Sequence, residues 1–438
     1  MADETRTVVP ASEILEKIHR GDPVEYDNII VEGDLDLTKL DLPEQQVERT
    51  QIEVDDLNLS KTAKIAVSPI KITTSEIRGF VRFNNCVLQK DVNFRGTKFT
   101  RGNAIFIGAK FGGDANFIDA KFTGRHADFR CAEFRGNASF IGVHFFINSI
   151  ANFSDARFTG HYTNFADAKF GGHAGFVRAK FKGYVEFIVT KFTGRRADFS
   201  DAEFTGKANF IGAKFTGGIA RFCGAKFGDK ADFAVAQFLG DVLTFRNAIF
   251  ADPRSQEDAC RRAKNVLERA GDREEAGYHF YREMEGKRKS KGIKYEYFDY
   301  EILLSCKLDE KELQAIQSRK LTSLRKYVWY NKIEYFLFQL IFGYGVHPHR
   351  LWGWWFFFVF LFAAIYWVGK GVRDATTAQA ITDPLAYIWF SITVAVTPGF
   401  AGYKPAAGWY QLLAGLEAIF GTFMWAAFIT TFARKYMR

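Results

Sequence analysis

The chain predicts a multidomain fold: a square β-coiled rod, a helical linker, and two membrane helices that flank a re-entrant hairpin. Three observations carry this reading. Phenylalanine pairs recur through the middle of the chain. After residue 250 the pattern changes to one of helical charge spacing. Near the C-terminus two long uncharged apolar stretches enclose a short apolar segment that stops at Thr-Pro-Gly-Phe. The expected division is 1–80 as an N-terminal cap region, 81–250 as the β-helix, 251–345 as a cytoplasmic or interfacial helical linker, and 346–438 as an all-α two-transmembrane domain.

Composition supports the rod. The chain has 47 Phe and 38 Gly against 4 Met and 9 Pro, as a short repeated unit with an aromatic core requires. The net charge of +9 fits a basic surface near anionic lipid. Nucleic-acid binding needs a basic stripe or a motif, and the sequence displays neither. The cysteines (Cys86, Cys131, Cys223, Cys260, Cys306) form no CxxC pair, so neither a zinc site nor a redox motif is signalled. The polar, acidic N-terminus is not a signal peptide.

In the cap region, Ser12–Arg20 reads as a helix ended by Gly21, and Ile29–Val31, Leu35 and Leu37 read as short strands. A solenoid needs such a terminal unit with a polar outer face. Phe pairs then fall at 94/99, 106/111, 117/122, 129/134, 140/145, 153/158, 165/170, 176/181, 187/192, 199/204, 210/215, 222/227, 233/238 and 245/250. The unit reads A-x-F-x-x-A-x-F-x-G, clearest in ANFIDAKFTGRHADFRCAEFRG (Ala115–Gly136). A step of five fits neither an amphipathic helix nor a long strand. It fits a square coil, with one Phe and one Ala inward per side.

This unit resembles the pentapeptide-repeat family over about 160 residues. The resemblance implies a right-handed quadrilateral β-helix. Fourteen pairs make about seven coils, roughly 35 Å at the interstrand spacing. Phe rings fill the interior, so binding is expected on the outer faces. The histidines at 126, 144, 161 and 173 and the aspartates at 128, 155, 198, 201 and 232 read as surface residues, with no metal site.

Residues 251–345 suggest two or three helices, with a break at Gly271 and the basic run Lys287–Lys294 as a joint. The aromatic stretch Tyr327–Phe342 suits a membrane interface. Gly343-Tyr344-Gly345 reads as a turn into the membrane. Leu351–Val368 and Trp409–Phe432 are the two spans. Arg350 and Lys332 before the first, and Arg434, Lys435 and Arg438 after the second, place both ends in the cytoplasm. A multi-pass plasma-membrane protein follows, with a cytoplasmic repeat domain.

Between the spans, Asp383 caps and Pro384 begins a short pore helix that includes Phe390 and Thr393. A hairpin at membrane depth is tolerated where it is buried in protein or lines a wet cavity. The segment 346–438 resembles two-transmembrane potassium channels, whose filter reads Thr-Val-Gly-Tyr/Phe-Gly-Asp. The matching positions here are Thr397, Pro398, Gly399, Phe400, Ala401 and Gly402. Pro398, Ala401 and Gly402 depart from the pattern, and Lys404 adds positive charge. These departures predict a wider, less selective pore for monovalent cations, with a permeating ion and no cofactor. Glu417, Phe420, Gly421, Met424, Ala427, Phe428 and Thr431 form the candidate pore-lining or gating stripe. The resemblance implies a homotetramer in membrane lipid. No enzyme motif appears, and no ligand of the β-helix is indicated. The alternative is a membrane-anchored scaffold. DNA mimicry wants an acidic rod, whereas residues 94–250 carry 22 Lys/Arg against 13 Asp/Glu.

Overall fold

From Val8 to Phe250 the chain winds as a β-solenoid with four faces, of ten, ten, nine and nine short strands. The strands pair in parallel, apart from the antiparallel contact between Glu44–Gln46 and Thr62–Ala66. The structure, a computed structural model, describes residues 6–55, 57–147, 149–305, 332, 334–341, 343–346, 348–396 and 402–436. The chain divides into two compact units, Met1–Ser290 and Lys291–Arg438.

The rod is in register coil by coil. Phe99 pairs with Phe122, Phe145 with Phe170, and Phe170 with Phe192, so a coil takes 23, 25 or 22 residues. The Phe pairs account for seven strands on that face. The remaining three, Val8–Pro10, Ile30–Glu32 and Glu76–Arg78, come from the segment read as a cap region. That segment is therefore itself coiled. Its apolar positions are Val and Ile rather than Phe, which hides the repeat. The cap proper is the helix Ala11–Arg20, which buries Ala11, Ile14 and Ile18 in the core and ends at Gly21 in the left-handed conformation.

Inside the rod the Phe rings form stacked columns. Successive centroids lie 4.5 Å apart at Phe99–Phe122, 4.8 Å at Phe140–Phe165 and 5.1 Å at Phe181–Phe204. Neighbouring columns meet edge to face, as at Phe129–Phe140. Each buried ring contributes about 1.5–3 kcal/mol. The alanines of the repeat, such as Ala109, Ala132 and Ala156, are fully buried and leave room for these rings.

The corners explain the rest of the repeat. Two residues after the first Phe of each pair, φ is positive: Gly96, Gly108, Asp119, Cys131, Asp155, Val189 and Val235 all hold this place. The N–H of the following residue bonds back to the Phe carbonyl, as Ala109 does to Phe106 at 3.0 Å, closing a turn. Asn or Asp just before that Phe braces it. Asp198 Oδ1 accepts the Ser200 N–H at 3.0 Å and Asp128 Oδ1 the Arg130 N–H at 3.1 Å. Asp128 and Asp198 are thus buried turn braces, not the solvated residues the sequence suggested. The motif glycine serves a different need, because successive coils touch there. A Cβ on Gly136 would lie 2.5 Å from the Gly113 carbonyl oxygen.

The last coil is closed by helices. Pro253–Ala270, capped by Asp252, buries Ala259, Cys260, Ala263, Val266 and Leu267 in the core. Gly271 ends it in the left-handed conformation, at the expected break. Arg273–Ser305 follows as one helix. The basic run expected to join two helices lies inside it, since Lys and Arg are good helix formers. His279 on this helix is fully buried, and its Nε2 accepts the Phe245 N–H of the final coil at 3.4 Å. Burial first, then the Arg282 and Arg246 charges, push its pKa down to about 4, although Glu275 lies 3.6 Å away. Glu275 is already engaged by Arg246 at 2.8 Å.

Two outcomes test this account. Val235 is 75% exposed at φ 54°. Val235→Gly is expected to stabilise the rod by about 1 kcal/mol, read by denaturant unfolding, because left-handed backbone strains a residue with a Cβ. Second, a folded pKa below the ordinary His value means stability is complete above about pH 6.5 and is lost progressively as pH falls toward 4. The protection factor of the Phe245 amide, after correction for the pH dependence of intrinsic exchange, should fall over that window, and His279→Gln should flatten the change.

Candidate functional site

The second unit holds two helices long and apolar enough to cross a membrane, His349–Val368 within the helix Pro348–Val368 and Trp409–Ala433 within Trp409–Tyr436. Only 22% and 28% of their apolar windows are buried within the chain, which leaves most of their apolar surface uncovered. Before them, Glu334–Ile341 forms a π-type helix, and Gly343–Gly345 forms a tight turn with Tyr344 at φ 53°. Of the expected interfacial stretch, residues 327–331, 333 and 342 lie outside the described residues.

A short helix, Pro384–Val396, lies between the two long ones and packs on both. Asp383 Oδ1 accepts the Leu385 N–H at 3.0 Å and caps it, with Pro384 as the first helical residue. Phe390 is fully buried against Tyr366 of the first long helix, edge to face at 5.2 Å. Thr393 Oγ1 donates to the Phe390 carbonyl at 2.8 Å. The segment leaves and returns at one place: Val372–Asp374 pairs antiparallel with Tyr403–Pro405. Tyr410 closes the junction by donating to the Gly369 carbonyl at 3.0 Å. Its ring occupies the space a Cβ on Gly369 or Gly371 would need. Asp374 holds the turn that follows this strand, and N–H groups of Thr377 and Thr376 keep its carboxyl below the usual range. The predicted filter positions Thr397, Pro398, Gly399, Phe400 and Ala401 lie outside the described residues. Gly402 follows at φ 86°, and its carbonyl accepts the Ala375 N–H at 2.9 Å.

The centre of this arrangement is Glu417. Its side chain is 1% exposed. Tyr366 OH donates to Oε2 at 2.9 Å, and Ser391 Oγ donates to Oε1. Ser391 Oγ also lies 2.9 Å from the Val359 carbonyl oxygen. One carboxyl group thus ties all three helices. Gly421, one turn further on, lets the backbones meet: a Cβ there would collide with the Ala395 carbonyl.

The stripe expected to line a pore is therefore the face that packs within the chain, with Glu417, Gly421, Met424 and Thr431 buried and Phe420, Ala427 and Phe428 half-buried. Met424 and Thr431 are buried, and Met424 clusters with Leu351 and Ile341. Phe420 packs on Phe358 at 4.5 Å and Phe428 on Trp352 at 5.0 Å, with Ala427 against the same cluster. The physical reason is that helical spacing identifies a face but not what covers it. The opposite face presents Gly415, Ile419, Thr422 and Ala426. Tyr366 and Ser391 escaped the sequence reading. A carboxylate in an apolar span demands donors, and hydroxyls in the neighbouring apolar segments were the signal.

The rod is built of pentapeptide repeats. Residues 73–121 match the family model described as Pentapeptide repeats (9 copies), and the register carries the same unit on to Phe250. No curated protein and no solved structure matches the chain. Among the described residues no group of His, Cys, Asp and Glu has metal-binding geometry. Burial pushes the thiols of Cys86, Cys131 and Cys260 up to about 12, so they are poor nucleophiles.

Glu417→Ala should lower the unfolding free energy by about 1–3 kcal/mol, because it strands two buried donors. Glu417→Gln should lower it less. Thermal melts of the purified chain read both, and an unchanged melt for Glu417→Ala would rule out the three-helix tie.

Proposed function

We propose that the chain is one subunit of a tetrameric ion channel of the plasma membrane, with its repeat rod and C-terminus in the cytoplasm. The observation that carries this reading is the short capped helix between two span-length helices, on a segment that returns to its starting point and is tied down through Glu417. An anchor that merely holds a rod at a membrane has no use for it. In this reading the hairpin Thr397–Gly402 is the filter, re-entrant from the outer side. The short helix aims the negative end of its dipole at the permeating cation. Pro398 removes an N–H, and Ala401 stands where the family places glycine, so potassium and sodium both pass. Because Glu417, Met424 and Thr431 are packed inside the subunit, the path is lined instead by the exposed face bearing Thr422 and Ala426.

A second reading, a membrane-anchored scaffold without conduction, is favoured by the filled interior of the rod, which leaves its outer faces for partners. Flux from liposomes under potassium, sodium and chloride gradients separates the two. Passage of both cations, excluded chloride, and loss of flux in Gly399→Asp are the expected results. No flux under any gradient from a non-tetrameric protein would reject the channel.

A further inference from the structure

One face of the rod carries charge in a way the others do not. Strand register places Lys98, Lys121, His144, Lys169, Lys191 and Lys214 in a single outward column. At about 4.8 Å per strand the column is about 24 Å long. Like charges directly opposite each other in a sheet are destabilising. Among the described residues, Lys191 is the one of these lysines that makes an ion pair, with Asp167 at 3.6 Å. The repulsion registers on His144: burial, then the charges of Lys169 and Lys121, hold its imidazole below the ordinary range.

Another face of the same rod shows the alternative. Its column runs Lys110, Glu133, Arg157, Lys180, Glu203, Lys226. Signs are interspersed there, and the ions pair: Lys110 with Glu133 at 3.3 Å, and Lys180 and Lys226 with Glu203 at 3.6 and 2.8 Å. The fold accommodates neutralised columns, yet on this face, where Glu76 lies opposite Lys98 at the end of the column, Lys98, Lys121, Lys169 and Lys214 form no ion pair among the described residues.

A second, independent feature marks the same face. Phe146 and Ile147 directly follow its third pentapeptide strand, and Ile147 is 79% exposed. Val189, Val235 and Leu239 flank its later strands and are exposed too. Exposed apolar side chains beside a row of lysines are the composition of an interfacial membrane surface. Nucleic acid fits less well: the apolar residues would give it nothing, and lysines provide point charges without the bidentate fork of arginine.

We propose that this face of the pentapeptide rod docks on an anionic lipid bilayer, with the lysine column on the headgroups and Ile147, Val235 and Leu239 entering the interface. The partner is the bilayer surface itself. The idea extends the membrane reading above but does not depend on conduction.

The test uses the full chain in nanodiscs, either pure phosphatidylcholine or with about one-third phosphatidylglycerol. Site-resolved amine acylation, read by mass spectrometry, is the measurement. In anionic discs Lys98, Lys121, Lys169, Lys191 and Lys214 should label about threefold less or lower still, and high salt should restore labelling. Lys180 and Lys226 should not change. A K121Q/K169Q/K214Q variant that keeps its thermal melt should lose the protection of Lys98 and Lys191, and so should Ile147→Asp. Equal labelling in the two discs, equal protection of Lys180 and Lys226, or equal protection by an oligonucleotide or polyglutamate in neutral discs would each overturn the proposal.

Discussion

Parallel strands pair at about 4.8 Å, and aromatic rings stack at nearly the same interval. The rod depends on that coincidence. Because Phe99 sits on Phe122 at 4.5 Å and Phe158 on Phe181 at 4.7 Å, ring contact and backbone pairing are satisfied by one register. A coil slipped by one residue would point Phe outward and Lys inward. The interior therefore dictates the exterior. Once Phe99 is fixed inside, Lys98 must face out, and its neighbours on the coils above and below must be its counterparts. Charge columns on the outer faces are the visible consequence of ring columns within.

Such a core has two open ends, and each is closed differently. At the N-terminal end an amphipathic helix inserts Ile14 and Ile18. At the other, two helices cover the final coil, and His279 supplies an acceptor to a backbone N–H that no further strand will meet. A buried neutral imidazole is an unusual cap. It links closure of the rod to pH in a way that a hydrophobic cover would not.

The apolar unit works by another logic. Among its described residues there is no ring ladder, and most of each long helix is uncovered. What organises it is one polar knot. A carboxyl group buried among apolar helices is unfavourable unless it finds donors. Tyr366 and Ser391 provide them from two different helices, so satisfying Glu417 fixes how the short helix sits. Gly421 allows the close approach that this geometry requires.

Sequence alone determined the repeat, its inward Phe and Ala, the span-length helices, the Asp383-Pro384 start and the Gly271 break. Each of these is local, set by spacing or by the conformational limits of one residue. It did not show that residues 8–80 belong to the same solenoid, because Val and Ile replace Phe there and only pairing with later coils exposes the register. Nor did it show that Asp128 and Asp198 brace turns, or which face of the second long helix is covered. Helical periodicity groups Glu417 with Met424 and Thr431, but whether that face meets a pore or a neighbouring helix is decided by packing. Tertiary structure turned the stripe inward, since a carboxylate goes where its donors are.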